Sequence, residues 1–359
     1  MQIDTYLQDL EDRIDAEVEE QLLRSWQDFT DNRFQGEVFV PARPKAAPPK
    51  VAWPKVLIND AIEDYDLMAL SQFAGCSEAL ERATGAIMMV RSNYGTSILP
   101  SLFGARIFMM ERDQNTLPTS LPLHDVEAIR RLVARGVPDC HQSLGARTFE
   151  MGKRLMEIKQ RYPKIGKYVQ LYHPDLQGAM DVSEVIWGSS LFTDLFEYPD
   201  LVQRFLGLVC ETYIAFLREW LRIVPAPIEG YSFHWGALQK GTLMLRSDSA
   251  MNFSPKMFDE FIKPHEQRLL DAFGGGGIHF CGRGDHYVES LSAMRGLSNV
   301  AMSQPRYNDM EVIYRHTVDK GIKLTGFNPE WAARALAAGR KLRGQVHCWA
   351  RPELAKAAS

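Results

Sequence analysis

From Val56 onward the chain alternates short apolar runs with longer amphipathic stretches, and no other feature of the sequence restricts its fold as much. The strand-like runs fall at residues 87–90, 168–172, 230–234, 243–245, 278–281, 300–302, 322–324 and 345–348. Strands separated by helical crossovers are the signature of βα units and a parallel sheet. About eight such strands over roughly 300 residues fit a (β/α)8 barrel, an α/β fold whose active site lies at the C-terminal ends of its strands. A chain of 359 residues, 45% hydrophobic, can fill one such barrel or two ordinary domains.

The helices between the strands are legible. Residues 200–223 place Leu201, Phe205, Leu208, Val209, Phe216, Leu217 and Trp220 on or near one broad apolar stripe. Ser254 before Pro255 predicts an N-cap and a proline at the first helical position, and Pro264 should kink the helix that follows. Upstream, residues 4–33 carry Leu7, Leu10, Ile14, Val18, Leu22 and Trp26 at helical intervals. A Pro-rich connector, from Pro41 to Pro49 and on to Trp53-Pro54, can be neither helix nor central strand. The expected organisation is an N-terminal helical arm with its connector over 1–50 and a barrel domain over 51–359. The arm packs on the main domain or reaches beyond it, and its Leu and Trp content points to a homodimer contact or to docking of a partner.

Composition removes several function classes. The formal net charge is −4 and no Lys/Arg-rich run occurs, so nucleic-acid binding has little support. The start, Met1-Gln2-Ile3-Asp4, lacks the pattern of a signal peptide, and no apolar stretch approaches the roughly 20 residues needed to cross a bilayer. The five scattered cysteines suit a reducing, cytoplasmic setting with free or metal-bound thiols. There is no Gly-x-Gly-x-x-Gly after a strand, no P-loop, no His-Glu-x-x-His and no Gly-x-Ser-x-Gly. The commonest nucleotide, zinc-protease and serine-hydrolase chemistries therefore drop out.

Four glycines, Gly274–Gly277, run into Ile278-His279-Phe280-Cys281-Gly282. Side chains two apart on a strand share a face, so His279 and Cys281 form half of a metal site at a strand end. Cys348, at the end of the last strand-like run, offers a third ligand. Zinc takes imidazole and thiolate readily, and catalytic sites use three protein ligands and leave one position open. Spacing alone leaves the plainer reading in place, in which these are interior residues of buried strands. The glycines either let backbone pack closely below the site or form a flexible turn.

The segment 278–282, the Ser254-Pro255 helix before it and the late Cys348 resemble the uroporphyrinogen decarboxylase superfamily. More closely they resemble its zinc-dependent branch, the corrinoid-linked enzymes that methylate coenzyme M. The similarity runs over roughly residues 85–350, and includes Ser247-Asp248-Ser249 followed by Phe253-Ser254-Pro255, and Gly178 with the helix after it. The resemblance implies a barrel of the uroporphyrinogen decarboxylase type, with zinc at His279, Cys281 and Cys348. True decarboxylases carry a Met-Arg-Gln-Ala-Gly-Arg motif; here the nearest stretch is Arg91-Ser92-Asn93-Tyr94-Gly95, which counts against porphyrinogen chemistry.

The implied activity is methyl transfer between a small methylated donor or thiol and a corrinoid protein. A thiol in the open position of zinc loses its proton near neutral pH, and the thiolate attacks a methyl group held by cobalt. In the reverse sense zinc polarises a methyl ether or amine for transfer to cobalt. Two thiolate ligands would lower the net charge of the metal and keep a bound thiolate electron-rich.

Other polar residues fall at expected strand ends. Asp248 matches a polar position at the family's pocket and is read as a catalytic or metal-contacting group, or as a simple helix cap. His234 is the second catalytic candidate, and the pair His234-Trp235 at a strand end is a candidate substrate contact. Tyr94, His173, Gln177 and Gln304 are candidate substrate contacts, and His286 is a ligand or a helix-start histidine. Two other functions fit the same fold: a metal-independent lyase or decarboxylase using Asp248 and His234, and a non-catalytic binding protein.

Overall fold

Strand parity gives the parallel sheet of this chain one apolar face, the outer one, and one more polar face, the inner one. The computed structural model describes residues 3–352. In chain order the strands are β1 (Val38–Phe39), β2 (Met89–Val90), β3 (Arg106–Phe108), β4 (Thr119–Leu121), β5 (Gln170–Leu171), β6 (Tyr231–His234), β7 (Ala237–Lys240), β8 (Leu243–Arg246), β9 (Gly276–Phe280), β10 (Leu297–Met302), β11 (Lys323–Leu324) and β12 (Val346–His347). Six of them form a parallel sheet in the order β1-β12-β11-β10-β9-β8, and β2 and β5 form a separate parallel pair.

The register of β8 to β12 sets Leu245, Ile278, Val300, Leu324 and Val346 side by side, each no more than 1% exposed. They share one core with helix residues such as Leu217, Leu269 and Ile313. The alternate positions lie on the opposite face. One row there is Arg246, His279 and Ala301, and the row below is Met244, Gly277, Asn299 and Lys323.

Among the described residues the backbone pairing does not close into a ring. Side chains link the six-stranded sheet to the β2–β5 pair at two places. His173, beyond β5, accepts the Met244 amide of β8 at 3.1 Å, and Arg43, beyond β1, donates to the Ala86 carbonyl ahead of β2.

The run at 230–234 departs from the expected parallel strand. It is β6, and it pairs antiparallel with β7 through the two-residue turn Trp235-Gly236. Both turn residues have positive φ, 46° and 82°, the geometry whose twist matches a two-residue hairpin.

The expected helix over 4–33 divides into Ile3–Arg13 and Ala16–Thr30, with Asp15 capping the second by accepting the Glu17 and Val18 amides. Leu7, Leu10 and Ile14 join the main core, Trp26 donates from Nε1 to the Gly85 carbonyl at 2.9 Å, and β1 pairs with β12. Residues 3–50 thus pack on the main body and lend it a strand.

The long helix runs Pro199–Ile223 and buries the expected stripe. After the Ser254 cap, a turn of helix (Pro255–Met257) widens into a π-turn (Phe258–Ile262) before Lys263–Ala272 continues. Pro264 lacks an N–H and its ring collides with the carbonyl four residues back, so the wide turn ahead of it absorbs the expected kink. Gly275, at φ 87°, turns the chain into β9, and a Cβ on it would lie 2.4 Å from the Gly296 carbonyl oxygen. No helix among the described residues is long and apolar enough to cross a membrane.

Candidate metal centre and its cavity

The row register that aligns Arg246 with His279 also sets the next same-face positions, 248 and 281, beside each other where the two strands end. Asp248 opens the turn Asp248–Asn252 after β8, and its Oδ1 accepts the Cys281 amide at 2.7 Å. His279 Nε2 lies 3.3 Å from Cys281 Sγ and 3.6 Å from Asp248 Oδ1. One donor atom from each of the three lies within 4.8 Å of the others.

Neighbouring groups hold this set in place. Asp181, on the helix Ala179–Trp187, accepts the Asp248 and Ser249 amides at 3.0 and 2.8 Å, clamping the turn. Burial, with the Asp248 carboxylate nearby, pushes the Asp181 pKa up to about 7. The His279 ring hydrogen-bonds the Ala301 backbone, and burial lowers its pKa against the pull of Asp248. Burial raises the Cys281 pKa, with a hydrogen bond to Ser303 opposing it. A cation bound beside that thiol would favour its thiolate.

The other expected residues divide by what they touch. His234 lines the adjoining cavity, 2% exposed, and its Nε2 accepts from Arg246 Nη2 at 2.8 Å. Burial and the Arg246 charge hold its pKa well below the ordinary value, which suits a neutral hydrogen-bonding role. Gln304 accepts the Gly282 amide and so fixes the loop just past Cys281. Both nitrogens of His173 are used internally: Nδ1 donates to the Pro174 carbonyl at 2.7 Å and Nε2 accepts from Met244. Gln177 donates to Asp175, and Tyr94 is fully buried in the main core. His286, the alternative ligand, bonds the Phe253 carbonyl at 2.9 Å.

Cys348 lies outside the donor group, and Asp248 stands in it instead. Strand parity gives the reason. Cys348 is two positions from Val346, hence on the outer apolar face, where its thiol is fully buried and its pKa is pushed up to about 12. His347 and Trp349 take the other face and pack against each other with ring centroids 4.3 Å apart.

A cavity of about 570 Å³ opens beside the centre, with His279 in its wall. Trp235, Phe327, Trp349, Met244 and Met302 supply much of its lining. Behind Trp235 lies a polar group that the sequence reading missed: Arg246, 2% exposed, pairs with Asp175 at 3.0 Å, and Arg91 reaches the same carboxylate at 3.4 Å. Asp181, on a helix with no periodic signal, was also missed. Trp235 was legible as a rim residue beside His234, but the turn it makes with Gly236 was not, since Trp-Gly is not one of the usual hairpin-turn pairs.

The fold and the site together define an α/β chain with a parallel sheet and a three-donor candidate metal centre at its strand ends. No family profile matches the sequence, and no curated protein matches it. Solved structures do match. One is a methyltransferase from Methanosarcina mazei, with 16% identity, a TM-score of 0.59 and 82% of each chain covered. At that identity the likeness is one of fold.

Proposed function

We propose that this chain is a zinc-dependent methyltransferase on a closed (β/α)8 barrel of the uroporphyrinogen decarboxylase type. It moves a methyl group between a small methylated donor or thiol and a corrinoid protein. The observation that carries this reading is the convergence of Asp248, His279 and Cys281 at the ends of two neighbouring parallel strands, beside a cavity that His279 lines. The eight parallel strands, the side-chain links between the six-stranded sheet and the β2–β5 pair and the fold shared with the Methanosarcina mazei methyltransferase support it.

The donors fit zinc: one imidazole nitrogen, one sulfur and one carboxylate oxygen meet the three-ligand pattern of catalytic sites. Zinc held there supplies a Lewis acid that polarises a methylated heteroatom or stabilises a thiolate. The chain's own residues do the rest. His279 would bind through a ring nitrogen, its ring oriented by the Ala301 backbone, and Cys281 would give up its Sγ proton on becoming a ligand. Asp248 would supply the second negative ligand charge expected of Cys348, as a harder oxygen donor in place of a thiolate. Asp181 keeps the Asp248 turn in position through two amides.

Protein purified anaerobically should carry about one zinc per chain by elemental analysis, and His279→Ala should lose it while staying folded. The zinc form should transfer methyl from a small donor to reduced cobalamin, followed by absorbance. Folded wild-type protein that takes up no zinc on reconstitution contradicts the proposal.

A further inference from the structure

Among the described residues no Asp, Glu, Lys or Arg lines the 570 Å³ cavity. Arg246 lies behind Trp235, its Cζ 4.7 Å from that ring, and shares the Asp175 carboxylate with Arg91, so it is engaged within the protein and does not line the cavity. The polar floor is likewise closed upon itself. Thr325 Oγ1 donates to Asn299 Oδ1 at 2.9 Å, Asn299 Nδ2 to Gln239 Oε1 at 3.1 Å, and Gln239 Nε2 to the Leu243 carbonyl at 2.7 Å. The lining offers an entering ligand no charged side chain, and His234 Nδ1 is a buried polar atom there without a partner.

Such a ligand does find aromatic surface. Trp235 and Trp349 are 39% and 43% exposed, in a molecule whose other five tryptophans include three that are almost wholly buried. Trp235 is held at φ 46°, a conformation uncommon for any residue but glycine, by the tight turn it shares with Gly236. The tip of Trp349 lies against that same turn, 3.0 Å from where a Cβ on Gly236 would stand. Phe327 and the Met244 and Met302 side chains complete an apolar lining. A cavity of this size belongs to the range that holds ring-bearing ligands, about 300–1,000 Å³, and far exceeds the needs of methanol or methylamine.

We infer that this cavity binds a neutral aromatic ligand and, resting on the function proposed above, that the methylated substrate is a neutral aryl methyl ether or thioether. Ring-to-ring contact with the tryptophans supplies the attraction. An anionic or cationic analogue would lose its hydration with no charged side chain in the lining to replace it. In the transfer the methyl–oxygen bond breaks and its electron pair stays on the aryl oxygen, which leaves as a phenolate and takes a proton from solvent. The reduced corrinoid protein contributes the electron pair of the new carbon–cobalt bond.

Calorimetry on the zinc-loaded full chain tests this with three probes of nearly equal size: 4-methoxybenzyl alcohol, 4-methoxybenzoate and 4-methoxybenzylamine, which are neutral, anionic and cationic at pH 7. The alcohol should bind at least about tenfold more tightly than either ion, roughly 1.4 kcal/mol. Trp349→Ala should weaken that binding at least tenfold, while Trp349→Phe, which keeps an aromatic face, should retain most of it. Wild-type protein stripped of metal with a chelator should bind the alcohol nearly as tightly as the zinc-loaded form. A failure of the zinc reading therefore leaves this readout intact. Equal or tighter binding of either ion, or no saturable binding of the alcohol to folded protein, overturns the inference.

Discussion

Asp248 Oδ1 accepts the Cys281 amide at 2.7 Å, so one carboxylate both ties two strand ends together and faces the His279–Cys281 pair. Asp248→Asn keeps an oxygen for the amide and removes the charge. Zinc affinity, measured by competition with a chelator, should fall at least about tenfold. Asp248→Ala should fall further, because the turn also loses its tie to β9.

Cys281 and Cys348 should behave differently. Cys281→Ala is expected to abolish zinc binding with little change in folding. Cys348→Ala should keep its zinc and instead lose about 1 kcal/mol of stability, since it removes a small buried group from the outer core. Denaturant titration together with zinc content on the same samples separates the two.

The acid limb of the stability profile should contain a contribution from His347. Burial lowers its pKa from 6.5 to about 3, while Nδ1 accepts the Gly326 amide at 3.0 Å. The unfolded chain takes up this proton below pH 6.5 and the folded one does not. The stabilising contribution is complete above pH 6.5 and is lost as the pH falls toward about 3, at about 1.4 kcal/mol per pH unit. In His347→Asn, which keeps an acceptor that does not titrate, unfolding free energies measured between pH 4 and 6 should show a slope shallower by about that amount.

Gly277 makes room for the β6–β7 hairpin to reach the sheet. A Cβ there would lie 2.8 Å from Met244 Cε, 2.9 Å from Gln239 Oε1 and 3.1 Å from Asn299 Nδ2. Gly277→Ala should break the Asn299–Gln239 bond and cost about 1–3 kcal/mol by urea unfolding.

Much of this architecture could be read from the chain because burial on one strand face leaves apolar runs that a sequence displays. Such runs locate β8 to β12 and the long helix. They do not reveal register or direction. The run ending at His234 is apolar enough for an inner strand, yet the turn at Trp235-Gly236 sends it back antiparallel. Val38–Phe39 is too short to show any period, and it enters the sheet through pairing with β12. His279 and Cys281 were legible because two residues on one strand need no register. Asp248 acts with them because Arg246 pairs with His279, a relation between residues 33 apart that the sequence does not contain. For Cys348 the deciding fact is parity: an odd step from His347 turns it toward the apolar core.

X-ray absorption at the zinc edge of the anaerobically loaded protein tests the centre most directly. A shell of one sulfur at about 2.3 Å with nitrogen and oxygen at about 2.0–2.1 Å is the predicted result, unchanged in Cys348→Ala and lost in Cys281→Ala. Two sulfurs in the wild-type shell, with one lost in Cys348→Ala, or no bound zinc in folded protein, would contradict the Asp248–His279–Cys281 site.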